Sequence, residues 1–169
     1  MMFEFDQTIV SVKSQPFSIQ YYDDGSNRNY TPDFSLSYCN GSIKIIEVKA
    51  NATLNEKINR KYKLIEKVFK QHGFEFQVMT ENHLPSRLAL SNMMMIKRNT
   101  IALGRPDEDA LNYLLNILSV PVSLDKALDI CKCLKINTNM ISYCVFHDYV
   151  KMELSSSLNG ETMLLSNFL

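Results

Sequence analysis

Apolar residues along the first half of the chain follow two spacings, and the changes between them mark the elements. Residues 15–22 (QPFSIQYY) and 30–38 (YTPDFSLSY) are rich in β-branched and aromatic side chains, and the turn formers of residues 23–27 (DDGSN) separate them, so the pattern predicts a hairpin. A second break at Cys39-Asn40-Gly41 leads into residues 43–49 (IKIIEVK), which extends the prediction to a three-strand antiparallel meander. The period then changes. Thr53-Leu54-Asn55-Glu56 has the form of a capping box, and Leu54, Ile58, Tyr62, Ile65 and Phe69 recur at helical spacing up to Gly73, a left-handed stop. Residues 74–79 (FEFQVM) read as one more strand. With a helix crossing over before the last strand, the sheet is expected to be mixed.

Beyond residues 81–85 the pattern is mainly helical. A short segment over residues 91–98 leads to Gly104-Arg105-Pro106, and Asp107-Glu108-Asp109 then supplies the acidic start that suits a helix dipole. Helices are predicted over residues 107–118, 123–134 and 138–148, followed by short apolar strands at 149–154 and 161–165. That order is the pattern of a winged helix-turn-helix. The expected organisation is an α/β core over residues 1–84, a helical connector over 85–105 and a winged-helix domain over 106–169.

Composition narrows the class. The 169 residues are 46% hydrophobic and 21% charged, as in globular proteins, which argues against disorder, collagen-like repeats and a disulfide scaffold. The apolar runs fall short of a bilayer span and the N-terminus lacks a basic signal-peptide head, so a soluble, cytoplasmic protein without membrane contact is expected. Cys39, Cys131, Cys133 and Cys144 contain no CxxC pair and read as reduced structural thiols. Although 18 Lys and Arg balance 18 Asp and Glu, the charges are unevenly placed. Residues 1–48 carry six acidic and three basic side chains, whereas residues 49–72 carry seven basic against two acidic. An acidic cluster beside a basic helix suits a metal-dependent site acting on a polyanion; a solvated helix face is the plainer alternative.

The candidate chemistry lies in Pro32-Asp33 and Glu47-Val48-Lys49. Side chains two apart on a strand share a face, so Glu47 and Lys49 project together. Asp33 joins them only in one register. A two-residue Asn40-Gly41 turn sets it opposite Val48, whereas a three-residue loop with Gly41 left-handed pairs it with Glu47, and we take the second. Asp33 and Glu47 would then hold Mg²⁺, with Mn²⁺ as a substitute, while the Lys49 ammonium steadies the nucleophile or a phosphoryl oxygen. A surface ion pair beside a strand end is the plainer reading. On the following helix Lys57, Arg60, Lys61, Lys67 and Lys70 are the candidate contacts for DNA phosphates.

These residues carry a family resemblance. Phe5-Asp6, Val10, Gln15-Pro16-Phe17-Ser18-Ile19, Tyr30-Thr31-Pro32-Asp33-Phe34, Glu47-Val48-Lys49, Gly73-Phe74 and Thr80-Glu81 resemble the TnsA endonucleases of cut-and-paste transposons, with Leu90-Ser91-Asn92 and Arg98 echoing their helix toward a C-terminal winged-helix region. The resemblance implies a restriction-endonuclease-like fold and a PD-(D/E)xK site. It implies Mg²⁺-dependent cleavage of double-stranded DNA at transposon ends, beside a TnsB-like transposase and a TnsC-like ATP-dependent regulator. It also implies a third carboxylate, a Glu on a helix upstream of Phe5-Asp6. That position has no counterpart in these residues, Glu4 and Asp6 being the nearest carboxylates. The alternatives are a catalytically impaired DNA-binding and bridging protein, or a free-standing resolvase or restriction-type nuclease. Elsewhere, Cys131, Cys133, Cys144 and His147 read as core rather than zinc ligands, and Met93-Met94-Met95 as core filling rather than a partner surface.

Overall fold

A computed structural model describes residues 2–167. The chain divides into two compact units: Thr8–Leu84, and residues 2–7 with 85–167.

The first unit is a four-stranded mixed sheet in the order β1-β4-β5-β6, with a separate two-stranded ribbon β2-β3 and one helix. Strand β1 (Ile9–Ser14) pairs antiparallel with β4 (Phe34–Tyr38), which pairs antiparallel with β5 (Ile43–Val48), and β5 runs parallel to β6 (Glu75–Met79). The meander expected over residues 15–49 is therefore corrected. Gln15 has φ of +44° and ends β1, so the chain turns where a strand was expected to begin. Asp24 and Gly25 both have positive φ, the requirement of a two-residue hairpin turn, and that tight turn joins β2 (Ile19–Asp23) to β3 (Ser26–Tyr30). Residues 26–29, read as turn and break, return as a strand. Val10 and Val12 of β1 are exposed, which is why that strand gives a weak buried-face signal.

Helix α1 (Glu56–Gln71) starts two positions later than the Thr53 box implied. Asn55 is the cap, its side chain accepting from the Ile58 amide at 3.0 Å, while the Thr53 hydroxyl donates to Ala50 O in a short 3₁₀ turn. Its C-terminus follows expectation: Gly73 has φ of +79° and the Phe74 amide donates to Phe69 O at 3.0 Å. Tyr62, Ile65 and Phe69 face the sheet, forming a core with Tyr21, Tyr30 and Ile45. Phe69 stacks on Phe76 with centroids 5.5 Å apart.

In the second unit the segment read as a short connector is a 17-residue helix, α2 (Arg87–Leu103), capped by Ser86. It packs along α5 (Asn139–Phe146), and its Ile96 joins the core with Leu114, Leu118, Cys131, Met140, Cys144 and Leu164. Between them come α3 (Glu108–Ile117) and α4 (Leu124–Cys133). A three-stranded sheet has the order β7 (Val122–Ser123), β9 (Met163–Ser166), β8 (Val150–Met152), with β7 an addition to the two expected strands. Buried Asn92 donates to Leu154 O and Ser156 O, both at 2.9 Å, tying α2 to the loop after β8. Residues 2–7, assigned from sequence to the core, belong here instead, with Phe5 edge-on to Phe146 at 4.9 Å and Glu4 paired to Lys97. Met94 and Met95 are exposed, so the methionine run fills the core less than expected. Among the described residues no helix is long and apolar enough to cross a membrane.

Phe69 is 1% exposed and touches both the stacked ring of Phe76 and the edge of Tyr30. Phe69→Ala should destabilise the first unit by about 3–5 kcal/mol, the range for emptying a buried aromatic site. Equilibrium urea unfolding followed by tyrosine fluorescence checks this, and a midpoint equal to wild type would contradict the assigned core.

Candidate active site

The β4–β5 connection sets the site. Tyr38 and Ser42 bracket the three-residue loop Cys39-Asn40-Gly41, Gly41 has φ of +82°, and the Asn40 side chain accepts from the Ser42 amide at 2.9 Å. The pairs Phe34↔Ile46, Ser35↔Ile45 and Ser37↔Ile43 follow, and one step further Asp33 stands opposite Glu47. Both carboxylates thus lie on the sheet face covered by α1, with Ile45 and Ser35. Lys49, two positions beyond Glu47, brings its Nζ to 3.7 Å from Glu47 Oε1.

Glu47 is 6% exposed, and a buried carboxylate needs donors. Tyr30 OH donates to Oε2 at 2.6 Å and Tyr62 OH donates to Oε1 at 2.9 Å. Burial pushes both phenols well above their ordinary pKa, and the hydrogen bond to Glu47 adds to it, so both remain protonated donors. Lys61 Nζ stands 5.3 Å from the Tyr30 ring centroid and 5.7 Å from that of Tyr62. Asp33 Oδ2 accepts from the Val48 amide at 2.7 Å, which orients the carboxylate along the edge of β5.

Two oxygen-donor carboxylates on neighbouring strands match a hard divalent ion, which commonly takes one or two carboxylates and completes its shell with water and phosphate. Each Glu47 oxygen keeps acceptor capacity beyond its phenol. The donor set therefore fits Mg²⁺. Among the described residues no group of three or more His, Cys, Asp or Glu forms a metal cluster. The two residues nearest in sequence to the implied third carboxylate, Glu4 and Asp6, belong to the second unit, where Lys97 Nζ donates to Glu4 at 2.7 and 2.8 Å. Cys131 and Cys144 are core residues there, and burial pushes the Cys144 thiol up to about 12.

The basic helix divides. Lys61 reaches the Glu47 surroundings, and Lys57, Arg60 and Lys61 share a cavity of about 360 Å³ with Asp23, Asp24 and Glu56. Arg60 donates to Asp24 at 3.2 Å and is partly neutralised. Lys67 and Lys70 lie about 9 and about 14 Å further along the axis than Lys61, given the helical rise. Tyr30 and Tyr62 are the site residues that sequence reasoning missed. The available signal was a tyrosine in an otherwise apolar stripe, since a buried phenol requires a partner.

Comparison with known proteins adds one finding. Residues 6–81 match the family model described as TnsA-like endonuclease N terminal, and no curated protein matches the chain. The matched stretch contains every strand of the first unit, α1, Asp33, Glu47 and Lys49. Its mixed sheet with α1 on one face is the α/β arrangement of the restriction-endonuclease-like fold. On this match and this architecture, residues 6–81 belong to the family of TnsA-like endonuclease N-terminal domains.

Proposed function

We propose that the chain is a Mg²⁺-dependent DNA endonuclease of the TnsA type that cleaves strands at transposon ends during cut-and-paste transposition. The observation that carries this reading is the juxtaposition, in a TnsA-like domain, of Asp33 opposite Glu47 with Lys49 beside it. Asp33 and Glu47 would hold Mg²⁺, which when bound acidifies a water molecule and offsets phosphate charge. Glu47 is held in place by its two phenols and Asp33 by the Val48 amide. Lys49 supplies a cation that steadies a phosphoryl oxygen or the attacking water, and Lys57 and Lys61 meet the DNA backbone without reading bases.

A second reading is a nuclease-fold bridging protein that docks DNA without cutting it. The 3.7 Å contact between Lys49 and Glu47, together with a donor set of two carboxylates, favours it.

We infer that the second unit, in which α3, α4, α5 and the small sheet support a winged-helix reading, docks proteins rather than reading DNA. Helix α5, at the recognition position, buries Met140, Ile141, Cys144 and Val145 and lies along α2, with Ser142 accepting from Asn99 at 3.2 Å. It carries no Lys or Arg, which base and phosphate readout lean on. A TnsC-like ATP-dependent regulator and a TnsB-like transposase are the partners proposed for the whole protein.

Asp33→Ala should abolish Mg²⁺-dependent nicking, and Lys49→Ala should lower kcat about 10²- to 10³-fold, the usual loss on removing one electrostatic stabiliser. Both should leave the circular dichroism spectrum intact, because neither side chain belongs to the apolar core. Nicking by Asp33→Ala at the wild-type rate would remove the assignment, while absence of nicking in wild type despite tight duplex binding would select the bridging reading.

Charge reversal at Lys57 and Lys61 should weaken binding to every duplex sequence and lower the salt slope by about one for each lysine that contacts a phosphate. Fluorescence anisotropy across a salt series measures both quantities. Unchanged affinity and slope would leave α1 a solvated face.

Charge reversal at Lys132 and Lys151 in the full chain should leave duplex affinity near wild type, and the chain should retain the ATP-dependent regulator in pull-down. A sharp loss of sequence-specific DNA binding in that variant would instead make the second unit a DNA reader.

A further inference from the structure

Glu47 is a buried carboxylate with a phenol on each oxygen, and the two phenols are themselves immobilised. The Tyr30 ring meets Phe69 and Phe76, both with centroids 6.3 Å away, and the Tyr62 ring lies 6.0 Å from Phe76. Lys61 stands over both phenol rings from outside. Tyr30 comes from β3 and Tyr62 from α1, so the donors reach Glu47 from two elements that are not its sheet neighbours. A carboxylate held in this way has a fixed plane and torsion, and the strand register sets Glu47 opposite Asp33 on the adjacent strand.

We propose that Tyr30 and Tyr62 are positioning residues: they clamp Glu47 in the orientation in which it and Asp33 receive a divalent cation. This rests on the metal-dependent reading above and deepens it by naming what orients the ligand. Hydrogen bonds to a ligating side chain commonly set metal affinity by about 10- to 100-fold, because an unheld carboxylate must give up torsional freedom on binding. With two carboxylates available, each must be pre-organised to contribute fully.

The chain contains no Trp and eight Tyr, so a bound Tb³⁺, an oxygen-seeking stand-in for the divalent ion, is excited only through tyrosine. Tb³⁺ is titrated into the full-length wild type and into Tyr30→Phe, Tyr62→Phe and the double variant, and Mn²⁺ binding is followed in parallel by electron paramagnetic resonance. Each single variant keeps its ring, and circular dichroism checks its fold. The expected result is sensitised emission in the wild type, a midpoint about 10-fold or more weaker in each single variant by both probes, and a larger loss in the double. Nicking by the single variants should recover as Mg²⁺ is raised, a rescue that a collapsed site does not give. Wild-type binding that both single variants reproduce, with Asp33→Asn weakening it, overturns the clamp and leaves the cleavage reading intact. A wild type that binds neither Tb³⁺ nor Mn²⁺ removes the cation reading itself, and the clamp with it.

Discussion

The buried Glu47 carboxylate under α1 is the constraint around which the first unit is arranged. A buried carboxylate left without hydrogen-bond partners is costly. The donors that meet this need are Tyr30 at the end of the ribbon and Tyr62 in the middle of α1. Satisfying one side chain therefore brings together the sheet, the ribbon and the helix. The aromatic packing of Phe69 and Phe76 supplies the apolar part of the same junction, so polar and hydrophobic requirements coincide at one place.

The neighbouring carboxylate is held by backbone geometry instead. Gly41 in the left-handed region sets the loop length, the loop sets the register, and the register puts Asp33 opposite Glu47 with its Oδ2 on the Val48 amide. A slip of one residue would move Asp33 to the other face of the sheet. Two acidic groups side by side, with Lys49 and Lys61 close to Glu47 and its phenols, bring acidic and basic groups together at one end of the sheet.

The second unit follows a different logic. Its helices are held by a continuous apolar core, and α2 packs along α5. Asn92 and Thr100 are buried polar residues of α2: the Asn92 amide nitrogen donates to two carbonyl groups of the loop after β8, and the Thr100 hydroxyl donates to Ile96 O. The exposed Met94 and Met95 on α2 leave that helix with an apolar outer edge as well as a packed inner one.

Much of this was legible locally. Helical spacing placed α1 and the three later helices, and Gly73 marked a helix end. The Cys39-Asn40-Gly41 loop chose the register, and Asp33, Glu47 and Lys49 stood out by residue type and strand parity. Local pattern misled where the chain reverses tightly. Asp24-Gly25 formed a two-residue turn within a longer run of turn formers, and β1, with Val10 and Val12 exposed, lacked a buried-face signal. The true extent of α2 was hidden because its core contacts lie far along the chain, as Asn92 to Leu154 and Ser156 illustrates. By itself, then, the sequence determined α1, the three later helices and the acidic pair, since periodicity, turn chemistry and register act over a few residues. The partners of Glu47 lie 15 and 17 residues away on a helix and a ribbon, and only the packing of those elements decided that two phenols would meet its carboxylate oxygens.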